Sequence, residues 1–393
     1  MKIAFFIDSS PTGGGYYHMR NFINLIKNVK SKNHSIIFIT RNKLISELLN
    51  KIDIKNYLFK PSLFEKINLK LSRNNLVSKI FEKMNYYNPF HQFIKKNKID
   101  YMIFNEPSFF TLYCKNLNFA SYIFNTEIDQ VSHFEEFKKG NFERQKKIIL
   151  FSVRYAKKVF VFTETNKQDL VEKYNCDSKK ILIQNLIPYL PMIYEKNKEI
   201  DYKRIFRTQF EFSKNQIFIF YPAKFWEHKN HILILDTIKF FKKNKFNNIT
   251  FIFSGGEYKG NFIRIKKIIE SENLQPYVKY IGNINEIELI AVYKYCDYVI
   301  IPSFIGRSSL PLLESLYFEK NIFYNKYILD KNLSKYTIGI DPKNAEDCYL
   351  QIKKYILDKN EPVNKKNNLS DIYKKLCDKE IFLNNFQNLL KNI

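Results

Sequence analysis

The strongest chemical signal in the chain is the stretch Tyr221-Pro222-Ala223-Lys224-Phe225-Trp226-Glu227-His228-Lys229-Asn230-His231. An apolar run, Ile217–Tyr221, precedes it, and helical spacing over Ile232–Phe241 follows. The loop therefore belongs at the carboxyl edge of a strand. Lys224 and Lys229 can reach a diphosphate from two sides, each as a mobile point charge. Trp226, the only tryptophan, either stacks on a ring or fills the hinge. His228 and His231 are of metal-ligand type, but no further ligand at metal-binding spacing accompanies them, so no metal is expected there.

A second pattern runs Pro302-Ser303-Phe304-Ile305-Gly306-Arg307-Ser308-Ser309-Leu310-Pro311-Leu312-Leu313-Glu314-Ser315. An apolar run passes into a Ser- and Gly-rich turn, and a helix is expected from Leu310. The first N–H groups of a helix lack intrahelical partners, so those of Ser309 and Leu310 suit phosphate oxygens. Glu314 lies one turn further in on the same side and suits ribose hydroxyls; an ordinary helix-surface carboxylate is the plain alternative. A third pattern, Thr12-Gly13-Gly14-Gly15-Tyr16, follows the first apolar run. Gly14 and Gly15 let backbone N–H groups approach a phosphate, although a tight turn explains them equally well. The third spaced glycine of the dinucleotide fingerprint is absent, as is the Gly-Lys-Ser/Thr of a Walker loop. No Asp-x-Asp occurs, which argues against a diphosphate held through a divalent ion.

Apolar runs and helical segments alternate around these loops. Lys2–Asp8, Ser35–Thr40, Ile99–Asn105, Phe119–Asn125, Lys158–Thr163 and Lys180–Gln184 read as strands, with helical spacing over Tyr17–Val29, Glu143–Tyr155 and Thr165–Tyr174. After an irregular stretch at Pro188–Asp201 the series restarts with strands at Ile217–Tyr221, Thr250–Phe253, Val278–Ile281 and Tyr298–Ile301. Near-continuous apolar strands alternating with helices mean parallel sheets covered on both faces. The expectation is two doubly wound α/β domains, with ligands outside the carboxyl ends of the strands and a cleft between facing domains as the default site. The boundaries expected are residues 1–195, 205–370 and a closing amphipathic helix at 371–393.

Composition adds limits. With 45% hydrophobic residues in 393, a disordered chain is excluded. Sixty-four Lys and Arg against 39 Asp and Glu leave +25, which calls for an anionic partner or a solvated basic surface. The basic blocks are short and scattered, so no nucleic-acid partner is expected. The segment Ser62–Met84 interleaves Leu63, Phe64, Ile67 and Leu71 with Lys66 and Lys70. It suits a helix lying in a membrane interface, or equally one packed on its own domain. Five widely spaced cysteines form no Cys-x-x-Cys pair and fit a reducing compartment. The run Ile3–Ile7 is too short for a signal peptide, so the expectation is a cytoplasmic protein that lies on a membrane if it meets one.

Together the three loops resemble the GT-B fold glycosyltransferases, in particular the large retaining family 4. Pro222–His231 is similar to the Pro-Ala-Arg-Phe-Trp-Pro-His-Lys-Asn-His loop of enzymes that build bacterial surface polysaccharides. Ser254-Gly255-Gly256 matches the family's glycine turn, Leu310–Glu314 its ribose-binding helix start, and Asp341-Pro342 a dipeptide near the end of its second domain. The resemblance implies two facing Rossmann-like domains, the first binding acceptor and the second the donor. It implies Lys224 and Lys229 as diphosphate clamps, with Gly14, Gly15, Gly255, Ser309, Leu310 and Glu314 as further donor contacts. It also implies a hexosyl transfer that keeps the donor's anomeric configuration and needs neither metal nor protein nucleophile. Partners would be a nucleotide-diphosphate sugar, a glycan acceptor carried on a lipid, and the anionic inner leaflet, in lipopolysaccharide or capsule synthesis.

Two departures stand out. Gly306 occupies the place of the first of the family's two glutamates, which contacts the donor sugar, and Arg307-Ser308-Ser309 replaces Pro-Thr-Asn. The family's His-Asp segment should fall around Asn125–His133, where this chain offers Glu127 and Asp129 as the acids nearest the sugar, and His133. A nucleotide-sugar epimerase or hydrolase on the same fold, and a basic non-catalytic binding protein, are the competing expectations.

Overall fold

The structure, a computed structural model, describes residues 1–8, 14–27, 29, 34–71, 88–138, 140–209, 216–307, 309–357 and 368–391. Thr12, Gly13, Ser308 and positions 72–84 of the basic segment lie outside the described residues. The chain divides into two compact units. The first comprises Met1–Thr126, Gly140–Gln184 and Lys379–Ile393; the second comprises Glu127–Lys139 and Asn185–Asp378.

The first unit is built on β1 (Lys2–Phe6), β2 (Ser35–Thr40), β3 (Asn56–Leu58), β4 (Tyr101–Phe104), β5 (Phe119–Tyr122), β6 (Lys158–Val161) and β7 (Ile181–Ile183). They pair in parallel in the order β3-β2-β1-β4-β5-β6-β7. β4 and β5 are buried at every residue, as expected of strands covered on both faces. Gly14 and Gly15 are the first residues of the helix Gly14–Ile26. The helix Lys379–Lys391 returns to this unit, where Phe386 meets Phe5 and Phe22 at ring separations of 5.7 and 6.1 Å.

The second unit carries β8 (Ile217–Pro222), β9 (Ile249–Ser254), β10 (Val278–Tyr280), β11 (Tyr298–Ile301), β12 (Asn321–Asn325) and β13 (Ile338–Ile340). Their parallel order is β10-β9-β8-β11-β12-β13. Strand order reverses between β8 and β11, so the loops leaving these two strands flank the topological switch point. Those are the Lys224–Lys229 loop and the Gly306–Ser309 turn.

Three strands were not expected from the sequence. β3 and β13 hold only three residues each, and β12 is bracketed by Asn321 and Asn325, both buried. The single closing helix is instead two. Leu369–Leu376 packs in the second unit, where Tyr373 meets Tyr317 at 5.0 Å, and Lys379–Lys391 packs in the first. The expected boundary at 195–205 lies inside the second unit, which begins again at Asn185 and also takes Glu127–Lys139.

Of the basic segment, Leu63–Leu71 is a helix whose start is held reciprocally by Ser62 and Glu65. Its apolar residues Leu63 (75% exposed), Phe64 (74%), Ile67 and Leu71 reach solvent, beside exposed Lys66 and Lys70. No described helix is long and apolar enough to cross a membrane.

Candidate active site

The loop after β8 is shaped by its neighbour after β9. Gly255 has φ +145°, and a Cβ there would lie 2.4 Å from the Ala223 carbonyl oxygen, so only glycine fits. The Ala223 N–H donates to Ser254 O (2.8 Å), and the Phe225 N–H to Gly256 O (3.1 Å). A Cβ on Gly256 would sit 3.9 Å from Lys224 Cε, which places the lysine stem along the glycine turn. Burial lowers the Lys224 pKa. Trp226 stacks on Tyr258 at 3.7 Å, so its face is used within the unit.

Lys229 is the more confined of the two lysines. Desolvation pulls its pKa down to about 8, against the opposing attraction of Glu127 and Glu136. Its Nζ donates to Ser303 Oγ at 3.5 Å. The next residue, Asn230, adopts φ +60° and opens the helix His231–Lys243. Its side-chain amide donates to Pro342 O (2.8 Å), which ties the Asp341-Pro342 dipeptide to this loop. His231 lies between rings, 4.3 Å from Phe225 and 4.8 Å from Tyr221, and burial lowers its pKa to about 3. It is a neutral packing residue. Among the described residues no group of three or more His, Cys, Asp or Glu is arranged around a metal ion.

The loop after β11 is bound to the same place. The Phe304 N–H donates to His228 O (2.9 Å), and Asn325 Nδ2 to Ser303 O (2.9 Å). Gly306 has φ +107°, a conformation that favours glycine and turns successive N–H groups to one side. Those of Gly306 and Arg307 donate to Glu127 Oε1, at 2.7 and 3.3 Å. Glu127 is buried, and its other oxygen lies 4.0 Å from the buried Arg307 guanidinium. The proposed sugar-side acid therefore sits at the Gly306 turn and within electrostatic reach of Lys229. Asp129, two residues on, is exposed in the short helical turn Ile128–Val131.

Ser309 caps the helix Leu310–Tyr317, its Oγ accepting from the Leu312 N–H at 3.3 Å. Glu314 is buried one turn in, and Oε2 accepts from the Tyr293 hydroxyl at 2.9 Å. Burial pushes its pKa up to about 7, with the Tyr293 bond opposing. It is an inward-facing acid rather than a surface carboxylate.

Glu136 is the residue that sequence reasoning missed. It is buried in the segment Glu127–Lys139, and Oε1 accepts both the His228 N–H (2.8 Å) and the His228 ring nitrogen Nδ1 (2.5 Å). It lies in a short helical turn, Glu135–Phe137, with no apolar period to mark it. Eight candidates thus lie in the second unit: Glu127, Asp129, Lys224, Lys229, Gly255, Ser309, Leu310 and Glu314. Gly14 and Gly15 stand in the first unit.

The family model described as "Glycosyl transferases group 1" matches residues 203–372. No curated protein matches the chain. Among solved structures, a glycosyltransferase from Rickettsia africae is similar at 17% identity and TM-score 0.63, over 98% of this chain and 94% of that one. The HepE protein of Anabaena, solved with UDP and glucose, is similar at 14% identity and TM-score 0.69, over 100% of both chains. The UDP-GlcNAc 2-epimerase of Neisseria meningitidis is similar at 13% identity and TM-score 0.63, also over 100% of both. The chain thus has the two-domain, Rossmann-like GT-B fold, and its second unit carries the likeness to group 1 glycosyl transferases.

Proposed function

We propose that the protein is a retaining glycosyltransferase that moves a hexosyl unit from a nucleotide-diphosphate sugar to a glycan acceptor. The observation that carries this reading is the half-buried Lys229, in the same loop after β8 as Lys224, with its Nζ 3.5 Å from Ser303 Oγ in the loop after β11, the other loop of the switch point. A diphosphate held there would restore full charge to Lys229, and the lysine pair would stabilise the negative charge that grows on the departing nucleotide. No metal is needed for that role. Gly255 shapes the loop, the helix start at Ser309 and Leu310 offers further N–H groups, and Glu314 accepts from ribose hydroxyls. Glu127 and Asp129 serve the sugar side, and Gly14 and Gly15 are assigned as further donor contacts.

The acceptor is a lipid-linked glycan in surface-polysaccharide synthesis, met at the cytoplasmic face of the membrane. The exposed Leu63, Phe64, Ile67 and Leu71 beside Lys66 and Lys70 support that part of the reading. The competing reading is a nucleotide-sugar epimerase or hydrolase, favoured by the likeness to the Neisseria epimerase. The two separate on products. Incubation of nucleotide sugars with a membrane extract from a glycan-deficient strain should give labelled lipid-linked product in the organic phase. Without acceptor, NMR should find the sugar's configuration unchanged. Epimerised or freed sugar without acceptor, and no transfer, would establish the competing reading.

A further inference from the structure

Lys224 and Lys229 suit a diphosphate, yet His228, which directly precedes Lys229, does not. His228 is buried, and desolvation together with Lys229 lowers its pKa to about 4 in spite of Glu136. The ring is therefore neutral at working pH and carries one N–H. The Glu136 carboxyl is held below the usual range by its bonds to His228, so it is ionised and can only accept. With Nδ1 2.5 Å from Oε1, the proton must lie on Nδ1. That leaves a lone pair on Nε2; the hydrogen bonds of His228 among the described residues run through its Nδ1, backbone N–H and carbonyl. The Glu136 bond to the His228 N–H (2.8 Å) fixes the backbone as well, so the ring's direction and its tautomer have one cause.

A ligand group that meets such a nitrogen must bring a donor. Phosphate oxygens offer none at neutral pH, so Nε2 does not serve the diphosphate. The ribose hydroxyls are already assigned to Glu314. What remains on a nucleotide sugar is an N–H of the base or a hydroxyl of the transferred sugar, and His228 is bound through its carbonyl to Phe304 of the loop whose Gly306 holds Glu127, the side given to the sugar above. We propose that His228 Nε2 accepts a hydrogen bond from a hydroxyl of the donor sugar, and that Glu136 is the positioning residue that presents it. This rests on the donor reading above and adds a sugar-recognising pair that the loop's lysines cannot supply. No proton is transferred; the pair discriminates by hydrogen bonding alone.

The test compares affinity for a nucleotide with affinity for its hexose conjugates, by calorimetry on the full chain. UDP, GDP and dTDP are each measured alone and as glucose, galactose and N-acetylglucosamine conjugates. His228→Phe keeps a ring but removes the acceptor. It should weaken the best conjugate by roughly tenfold relative to its nucleotide, the scale of one lost hydrogen bond with its partner left unpaired. Glu136→Ala frees the tautomer and should lower the same ratio. Glu136→Gln retains an acceptor for both His228 donors and should leave the ratio as in wild type, even where it shifts both affinities together. The double variant His228→Phe/Glu136→Ala should lower the ratio no more than His228→Phe alone. Equal weakening of nucleotide and conjugate in His228→Phe would overturn the proposal while leaving the donor reading intact, as would additive losses in the double variant. If Glu136→Ala does not fold, the pair His228→Phe and Glu136→Gln still decides. Wild type binding no nucleotide at all removes the donor reading, and this proposal with it.

Discussion

In the proposed reading Lys224, Lys229 and Glu314 have different duties, and these separate kinetically. Each lysine contact strengthens as the diphosphate departs, and such charge-assisted bonds are worth roughly 1.5–3 kcal/mol. Lys224→Ala and Lys229→Ala should each lower kcat/KM by about 10- to 150-fold, with much of the loss in kcat. Ribose contacts change little during reaction, so Glu314→Ala should raise the donor KM more than it lowers kcat. Near wild-type kinetics for all three would remove the site assignment. Glu314 also has a stability signature. Its folded pKa, about 7, lies above the ordinary 4.5, so the unfolded chain releases this proton first as pH rises. Stability that is fully present below pH 4.5 is lost progressively as pH rises through 7. The displacement corresponds to on the order of 3 kcal/mol. Glu314→Gln, which mimics the protonated acid, should unfold at higher denaturant than wild type at pH 8 and alike at pH 4.5. Equal midpoints at both would place the carboxyl in a wetter setting. The lysine pair was legible because charge spacing in a loop between a strand and a helix is visible in the sequence. Glu136 was not, because it reaches His228 across 92 residues and only the fold brings them together.

Among the elements, the turn after β9 holds the lysine loop in place. Gly255→Ala would press a Cβ onto the Ala223 carbonyl in a backbone conformation that L residues rarely adopt. It should cost roughly 2–4 kcal/mol, seen as a lower denaturation midpoint. A neutral effect would mean the two loops are less tightly joined than the 2.8 Å bond between Ala223 and Ser254 indicates. The helix Leu63–Leu71 makes the other prediction at this scale. Its exposed apolar face and lysines should bring the protein down with anionic vesicles at low salt, and added salt should release it. Phe64→Ser should weaken the binding; a protein that stays in the supernatant at low salt contradicts the membrane reading. Strands such as β4 and β5 were legible because burial on both faces demands an unbroken apolar run. β3 and β13 were not, since three residues cannot show a period. The segment Glu127–Lys139 was misplaced in the first domain because its short helical turns carry no pattern that marks which unit they join.

For the whole molecule, the two sheets share the same reversal of strand order, and eight of the ten candidate residues lie in the second unit. The closing helix was legible as an amphipathic tail, but its break at Cys377-Asp378 was not, because Leu369 and Tyr373 belong to one core and Phe382 and Phe386 to another. At this scale the proposed function comes down to one property: the loop after β8 binding a nucleotide diphosphate through its two lysines, without metal. Calorimetric titration with UDP, GDP and dTDP, in EDTA and again in magnesium, tests it most directly. At least one nucleotide should bind with the same affinity in both buffers, and binding should be lost in Lys224→Ala/Lys229→Ala. Binding that disappears in EDTA, or that persists undiminished in the double variant, would contradict it.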